Sequence, residues 1–120
     1  MKTRSRRVIG MVAALGAVLG LSGLNASTAQ ADSQFGCPYP YVCVYEGYHW
    51  DGKIVAMFKD VTSYYQYTTP RTFYSVVNTR NDDTVWVQHS GGSSFCILPN
   101  MQGGGGDTIT GIRISSSASC

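Results

Sequence analysis

The sequence predicts a small all-β domain, a sandwich or small barrel. Three observations carry this expectation. Short runs rich in Val, Ile, Tyr, Phe and Trp alternate with turn signals, the pattern of many short strands. Almost no stretch after residue 31 shows the period of an amphipathic helix. Four cysteines, Cys37, Cys43, Cys96 and Cys120, lie in a short chain, as in small domains that need covalent help to hold a limited core.

The first 31 residues are expected to be a leader. Lys2, Arg4, Arg6 and Arg7 give a basic start, an apolar run extends from Val8 to about Leu24, and Ala29-Gln30-Ala31 ends it with small residues at the positions a signal peptidase reads. A membrane anchor would need a longer, less Gly- and Ala-rich run. Cleavage after Ala31 therefore leaves residues 32–120 as one secreted, extracellular domain. This domain has five Lys and Arg against seven Asp and Glu, a net charge of −2. No basic patch survives for nucleic acid, and no basic amphipathic helix for a membrane surface.

Six strands are expected, at 41–46, 53–59, 73–78, 84–89, 94–98 and 109–115. The turn signals between them are DG at 51–52, TTP at 68–70, NDD at 81–83, SGGSS at 90–94 and GGGGD at 103–107. TSYYQY, 62–67, is ambiguous and is compatible with one short helical turn. The four glycines 103–106 lack the Lys and Ser/Thr of a phosphate loop and read as a flexible linker. Ile112-Arg113-Ile114 alternates as a half-buried strand does. FYSVVN and ITGIRI each close a strand pair and a loop, an internal echo that suggests two copies of one four-strand unit.

Three disulfide pairings are possible, and the spacing alone does not choose among them. The favoured one joins Cys37 to Cys43, a clasp across Pro38 and Pro40, and Cys96 to Cys120, which pins the C-terminus. Loop-closure entropy gives about 2 kcal/mol for the short loop and about 3.5 kcal/mol for the long one. A zinc site fits poorly, because CPYPYVC is too long a gap for a zinc knuckle and lacks histidine partners.

The stretch CVYEGYHWDGK, 43–53, carries the most specific pattern. Tyr45, four residues, Trp50, one residue and Gly52 resemble the first hairpin of a βγ-crystallin Greek key. The resemblance implies a hairpin folded back over its sheet, with Tyr45 against Trp50, Gly52 at positive φ, and Ser75 of FYSVVN hydrogen-bonded to the hairpin. In the second unit Thr110 or Gly111 stands where that serine is expected. The leader, the clasp CP…VCVYE, the WDG hairpin, SVVN and the late cysteine together resemble the secreted actinomycete metalloproteinase inhibitors. These are βγ-crystallin-like Greek-key sandwiches with two disulfides.

That resemblance implies a non-enzymatic, cofactor-free monomer whose partner is an extracellular metallopeptidase of the thermolysin type. It implies a reactive bond beside a disulfide cysteine, here Cys96–Ile97. Such an inhibitor needs a rigid substrate-like loop, since preorganisation reduces the entropy lost on docking. GGSSFCILPN, 91–100, suits this: Cys96 anchors it, Pro99 stiffens it, and Phe95, Ile97 and Leu98 offer apolar side chains to an enzyme that favours one just after the scissile bond. The bland alternative is that Phe95, Ile97 and Leu98 form a core strand.

Two other functions compete. Calcium binding, common among βγ-crystallins, would use Asn81, Asp82 and Asp83 of NDDTVW, but Val85 and Trp86 stand where hydroxyl ligands are needed, and the stretch suits a solvated turn. A glycan- or wall-binding or antimicrobial module would use Tyr48 and Trp50, Tyr64, Tyr65 and Tyr67, or Tyr39 and Tyr41, and requires coplanar rings on an open face. An enzyme has little support, since His49 and His89 lack a metal-ligand spacing and adjacent His89 and Ser90 make no triad.

Overall fold

Eight strands run through residues 32–120, the part of the chain described by this computed structural model. The expected leader, 1–31, lies outside the described residues. The strands are β1 (Val42–Glu46), β2 (Ile54–Phe58), β3 (Gln66–Arg71), β4 (Tyr74–Asn78), β5 (Thr84–His89), β6 (Ser94–Ile97), β7 (Gln102–Gly105) and β8 (Ile109–Ser115). They form two four-stranded antiparallel sheets, ordered β2-β1-β4-β7 and β3-β8-β5-β6. Each consecutive four-strand unit keeps its first, second and fourth strands and gives its third to the other sheet. The second order is the first one repeated four strands later, so the internal echo corresponds to a two-fold repeat of Greek keys.

The six expected strands are all present, within a residue at each end. Two more were not legible. β3 contains TTP, read as a turn; Pro70 is tolerated because β3 is an edge strand, where a missing N–H disrupts no second ladder. Residues 63–64 bend and 66–67 open β3, in place of a helical turn. β7 is QGGG, and three of the four glycines read as a linker are paired backbone, opposite Tyr74, Ser75 and Val76. The physical reason is contact. A Cβ on Gly104 would meet the Tyr74 carbonyl oxygen at 2.5 Å and Ser75 Cα at 2.9 Å, and one on Gly103 would crowd Phe95 and Ile97.

Val42, Val44, Tyr74, Val76, Val85, Val87, Ile97, Ile109, Ile112 and Ile114 fill the space between the sheets. A second, smaller cluster lies on the outer face of the first sheet, where Cys37, Cys43, Tyr45 and Val77 pack with Tyr41, Trp50 and Ile54. β1 is thus buried on both faces, which is why VCVY reads as an unbroken apolar run. Two disulfides close the structure, Cys37–Cys43 and Cys96–Cys120. The first holds the N-terminal segment over the outer cluster, where the Tyr45 hydroxyl donates to the Phe35 carbonyl at 2.7 Å.

The hairpin between β1 and β2 departs from expectation in two details. Gly52 does not have positive φ; Gly47 does, at 89°. Gly52 is demanded by proximity instead, since a Cβ there would overlap the Glu46 carbonyl oxygen. Ser75 does not hydrogen-bond to the hairpin. It is fully buried opposite Tyr45 and Gly104, and its hydroxyl has no partner among the described residues. The backbone does the pinning, with Gly47 N–H donating to the Phe73 carbonyl at 2.7 Å. Trp50 joins the outer cluster with Tyr45, and its ring meets that of Phe35 at 5.5 Å. In the second unit Gly111, between Gln88 and Tyr67, takes the place of Ser75.

One buried polar group crosses the inter-sheet core. The Tyr74 hydroxyl lies 2.5 Å from His89 Nε2, while His89 Nδ1 lies 3.2 Å from Ser93 Oγ and the imidazole stacks on Phe95. Burial, and secondarily the Asp107 carboxylate, push the Tyr74 phenol up to about 12. Burial also raises Tyr45.

Two predictions follow from this packing. Gly104→Ala should lower stability by about 1–3 kcal/mol in urea titration, as overpacking against a fixed backbone does. Gly105→Ala, where a Cβ meets nothing within 4 Å, should change it by less than about 0.5 kcal/mol. The second concerns pH. The folded state holds the Tyr74 proton more tightly than the unfolded chain, whose phenols titrate near 10. Stability from this group is therefore complete below pH 10 and is lost as pH rises to about 12. Tyr74→Phe should reduce the fall of the urea midpoint across that window.

Candidate functional site

β6 and β7 are edge strands of opposite sheets, and both lie on the same side of the sandwich. The turn Leu98-Pro99-Asn100-Met101 joins them, closed by Met101 N–H donating to the Leu98 carbonyl at 3.2 Å. Proline presets φ at the second position, and Asn100 adopts a φ of 60° at the third. Asparagine tolerates that conformation better than most residues. LPN is the local signal for this turn, and it is readable in the sequence. Among the described residues β6 pairs only with β5, which leaves its outer backbone edge available to another strand. Beside it runs a groove of about 220 Å³ between Phe95, Ile97, Leu98, Met101 and Gly103.

The turn is clamped from two sides. On the inner side, fully buried Asn78 donates from Nδ2 to the Leu98 carbonyl at 3.1 Å and to the Asp83 carbonyl at 3.0 Å. Its Oδ1 accepts from Arg80 N–H at 3.0 Å, and its own N–H donates to the Met101 carbonyl at 3.0 Å. Asn100 N–H donates to the Arg80 carbonyl, and Asn100 Nδ2 donates to Asn81 Oδ1. On the outer side, Gln34 reaches Asn100 from the N-terminal segment and accepts from Gln102 Nε2 at 2.8 Å. The Cys96–Cys120 disulfide anchors the strand that enters the turn.

Within the segment singled out in the sequence, exposure divides unevenly. Ile97 is 4% exposed and belongs to the core, so its side chain is not presented to a cleft; Leu98 is 45% exposed and Met101 50%. Phe95, Cys96 and Pro99 are half-buried. β6 is therefore both a core strand and the lead-in to an exposed turn.

The acidic stretch 81–83 is engaged with neighbouring groups. The Asp83 carboxylate takes Arg80 Nε at 2.6 Å and Arg80 NH2 at 2.5 Å, and Arg80 also donates to the Pro40 and Lys59 carbonyls. The Asp83 carboxylate is thus paired with a guanidinium, and Asn81 Oδ1 accepts from Asn100. Asp82 is exposed. Among the described residues, no group of three or more His, Cys, Asp and Glu side chains converges as metal ligands do. Asn78 and Arg80, which tie this stretch to the turn, were not singled out in the sequence.

The aromatic residues form no coplanar platform in their measured pairs. Phe35 and Trp50 meet at 58°, and Tyr48 and Phe73 at 66°. Tyr65 and Trp86 instead flank the Arg113 guanidinium, at 5.5 and 5.6 Å. A second opening of about 380 Å³ lies between Ser90, Ser93, Asp107 and Thr108, with buried His89 at its base. His89 is engaged on both ring nitrogens, by Tyr74 and Ser93. No described helix is long and apolar enough to cross a membrane.

Comparison with known proteins gives one family. Residues 30–93 match peptidase inhibitor family I36, just over half of the chain, and the match stops one residue before β6. Neither the curated proteins nor the solved structures give a match. The hairpin, the Cys37–Cys43 clasp and the SVVN strand that carries Asn78 all lie inside the matched region. The chain belongs to peptidase inhibitor family I36, a family of inhibitors and not of enzymes.

Proposed function

We propose that this chain is a secreted inhibitor of extracellular, thermolysin-like metallopeptidases, exported by the leader that ends at Ala31. Residues Phe95 to Met101 enter the enzyme cleft in a substrate-like conformation, and binding is non-covalent. The observation that carries the proposal is the reach of the second disulfide. Cys96 and Cys120 lie on opposite sides of every peptide bond in the segment that follows Cys96. Hydrolysis of any of these bonds leaves both pieces covalently joined, so the nicked product stays in the cleft.

The free edge of β6 supports the same mode. Peptidase clefts take substrates as extended strands, and an edge strand already in that shape loses little entropy on pairing. The enzyme's zinc polarises a peptide carbonyl presented by this segment. The family resemblance points to Cys96–Ile97 as the reactive bond. The burial of Ile97 means that this register requires the end of β6 to peel away from the core. Leu98 is already exposed, and the Ile97–Leu98 bond would present it directly after the scissile position. In both registers the disulfide retains the fragments.

The test is an inhibition assay with the mature protein, followed by electrophoresis with and without reductant. Inhibition is expected at micromolar inhibitor, with slow appearance of two fragments only under reducing conditions. An unchanged peptidase rate would sink the proposal. Sequencing the new N-terminus, Ile97 or Leu98, decides the register. Leu98→Asp should weaken inhibition roughly 10- to 100-fold, as loss of an apolar anchor does, with the melting temperature unchanged. Ile97→Asp should instead unfold the domain, because it places a charge in the inter-sheet core.

A further inference from the structure

We infer that Asn78 is the positioning residue that makes the 98–101 turn an inhibitor rather than a substrate; the inference rests on the proposed function. Three features of this one side chain support it. It is fully buried in β4, at the mouth between the two sheets. Both of its amide protons and its oxygen are committed: Nδ2 to the Leu98 and Asp83 carbonyls, Oδ1 to Arg80 N–H. Its backbone N–H holds the other end of the turn through the Met101 carbonyl. The amide orientation is unambiguous, since two carbonyls face the nitrogen and an N–H faces the oxygen.

No other residue type meets these demands. Aspartate has the same shape but would set a carboxylate against two carbonyl oxygens. Alanine would leave both carbonyls and the Arg80 N–H without their partner. Leu98 lies just past the proposed scissile bond, and its backbone carbonyl is tied to the interior. Its carbonyl is shared by Asn78 Nδ2 and Met101 N–H, so the chain just past the scissile bond is held at a fixed place.

The consequence lies in the fate of a cut bond. Hydrolysis adds water to the acyl carbon, breaks the C–N bond and passes a proton to the departing nitrogen, giving a carboxylate and an amine. Religation reverses each step and releases water. The disulfide keeps the two fragments in one molecule, but only a fixed turn keeps the amine beside the carboxylate. Such alignment raises effective concentration far beyond that of a loose tether. Asn78 supplies that alignment from the side of the amine.

The experiment compares the wild type with Asn78→Asp and Asn78→Ala. A Val44→Ala variant is the control, since Val44 lies in the same core and far from the turn in sequence and sheet position. Each is incubated with a thermolysin-like peptidase at temperatures equally below its own melting point. Three quantities are read: the inhibition constant, the rate of nicking, and recovery of intact chain from purified nicked protein. The Asn78 variants are expected to be nicked at least tenfold faster and to regain little intact chain, with the control close to wild type. Equal nicking and religation in the Asn78 variants and the control would overturn the inference. A wild type that fails to inhibit at all would instead overturn the proposed function. Where the Asn78 variants do not fold, hydrogen exchange of the wild-type Asn78 side-chain amide decides. Slow exchange is expected, and exchange at the solvent rate would refute the inference.

Discussion

The backbone of Gly104 lies so close to Tyr74 and Ser75 that no side chain fits between them. The candidate site depends on that contact. It lets β7 leave the strands that surround it in the sequence and pair with β4 of the other sheet. β6 stays behind on the second sheet, so the four residues between them must bridge the two sheets at their open edge. The turn is therefore exposed by topology and not by the polarity of its own residues. The same crossing places the turn over Asn78, at the end of the strand that β7 joins.

The two disulfides do different work in this arrangement. Cys37–Cys43 joins residues with a sequence separation of 6 and contributes modestly to stability, about 2 kcal/mol by loop entropy. Its larger effect is positional. It holds the N-terminal segment over the outer cluster, and that segment sends Gln34 to the turn. Cys96–Cys120 spans the segment that would enter an enzyme cleft. In the proposed mode its value is kinetic, because the two fragments of a cut segment stay in one molecule.

Polar side chains shielded from solvent gather at two places: Asn78, Arg80 and Asp83 where the chain crosses from β4 to β5, and Tyr74 with His89 between the sheets. In the first, nearly every donor is matched by a backbone carbonyl or a carboxylate, which removes the cost of burial and leaves a directional constraint. The ion pair of Arg80 with Asp83 is itself satisfied by two further carbonyls, the condition under which a shielded pair is tolerated. This network converts an acidic turn, which would otherwise invite a cation, into a scaffold for the neighbouring turn.

The sequence by itself determined the fold class, the strand-forming segments with strong alternation, and the hairpin carried by Tyr45, Trp50 and Gly52. These are local properties: β-branched runs, turn residues, and spacings that hold within a dozen residues. Which sheet each strand joins was decided only by the tertiary structure. QGGG has no side chains to announce a strand, and it became one because a neighbouring backbone needed the space that glycine leaves. Gly52 is required by the Glu46 carbonyl and not by its own φ, and Ser75 is small because Tyr45 and Gly104 flank it. Ile97 faces the core and Leu98 faces out because β6 ends at the rim of its sheet, a fact set by pairing with β5. Asn78 became a clamp only when residues twenty positions away folded back over it. Contacts of that range leave no periodicity in a chain, because they depend on which backbones meet.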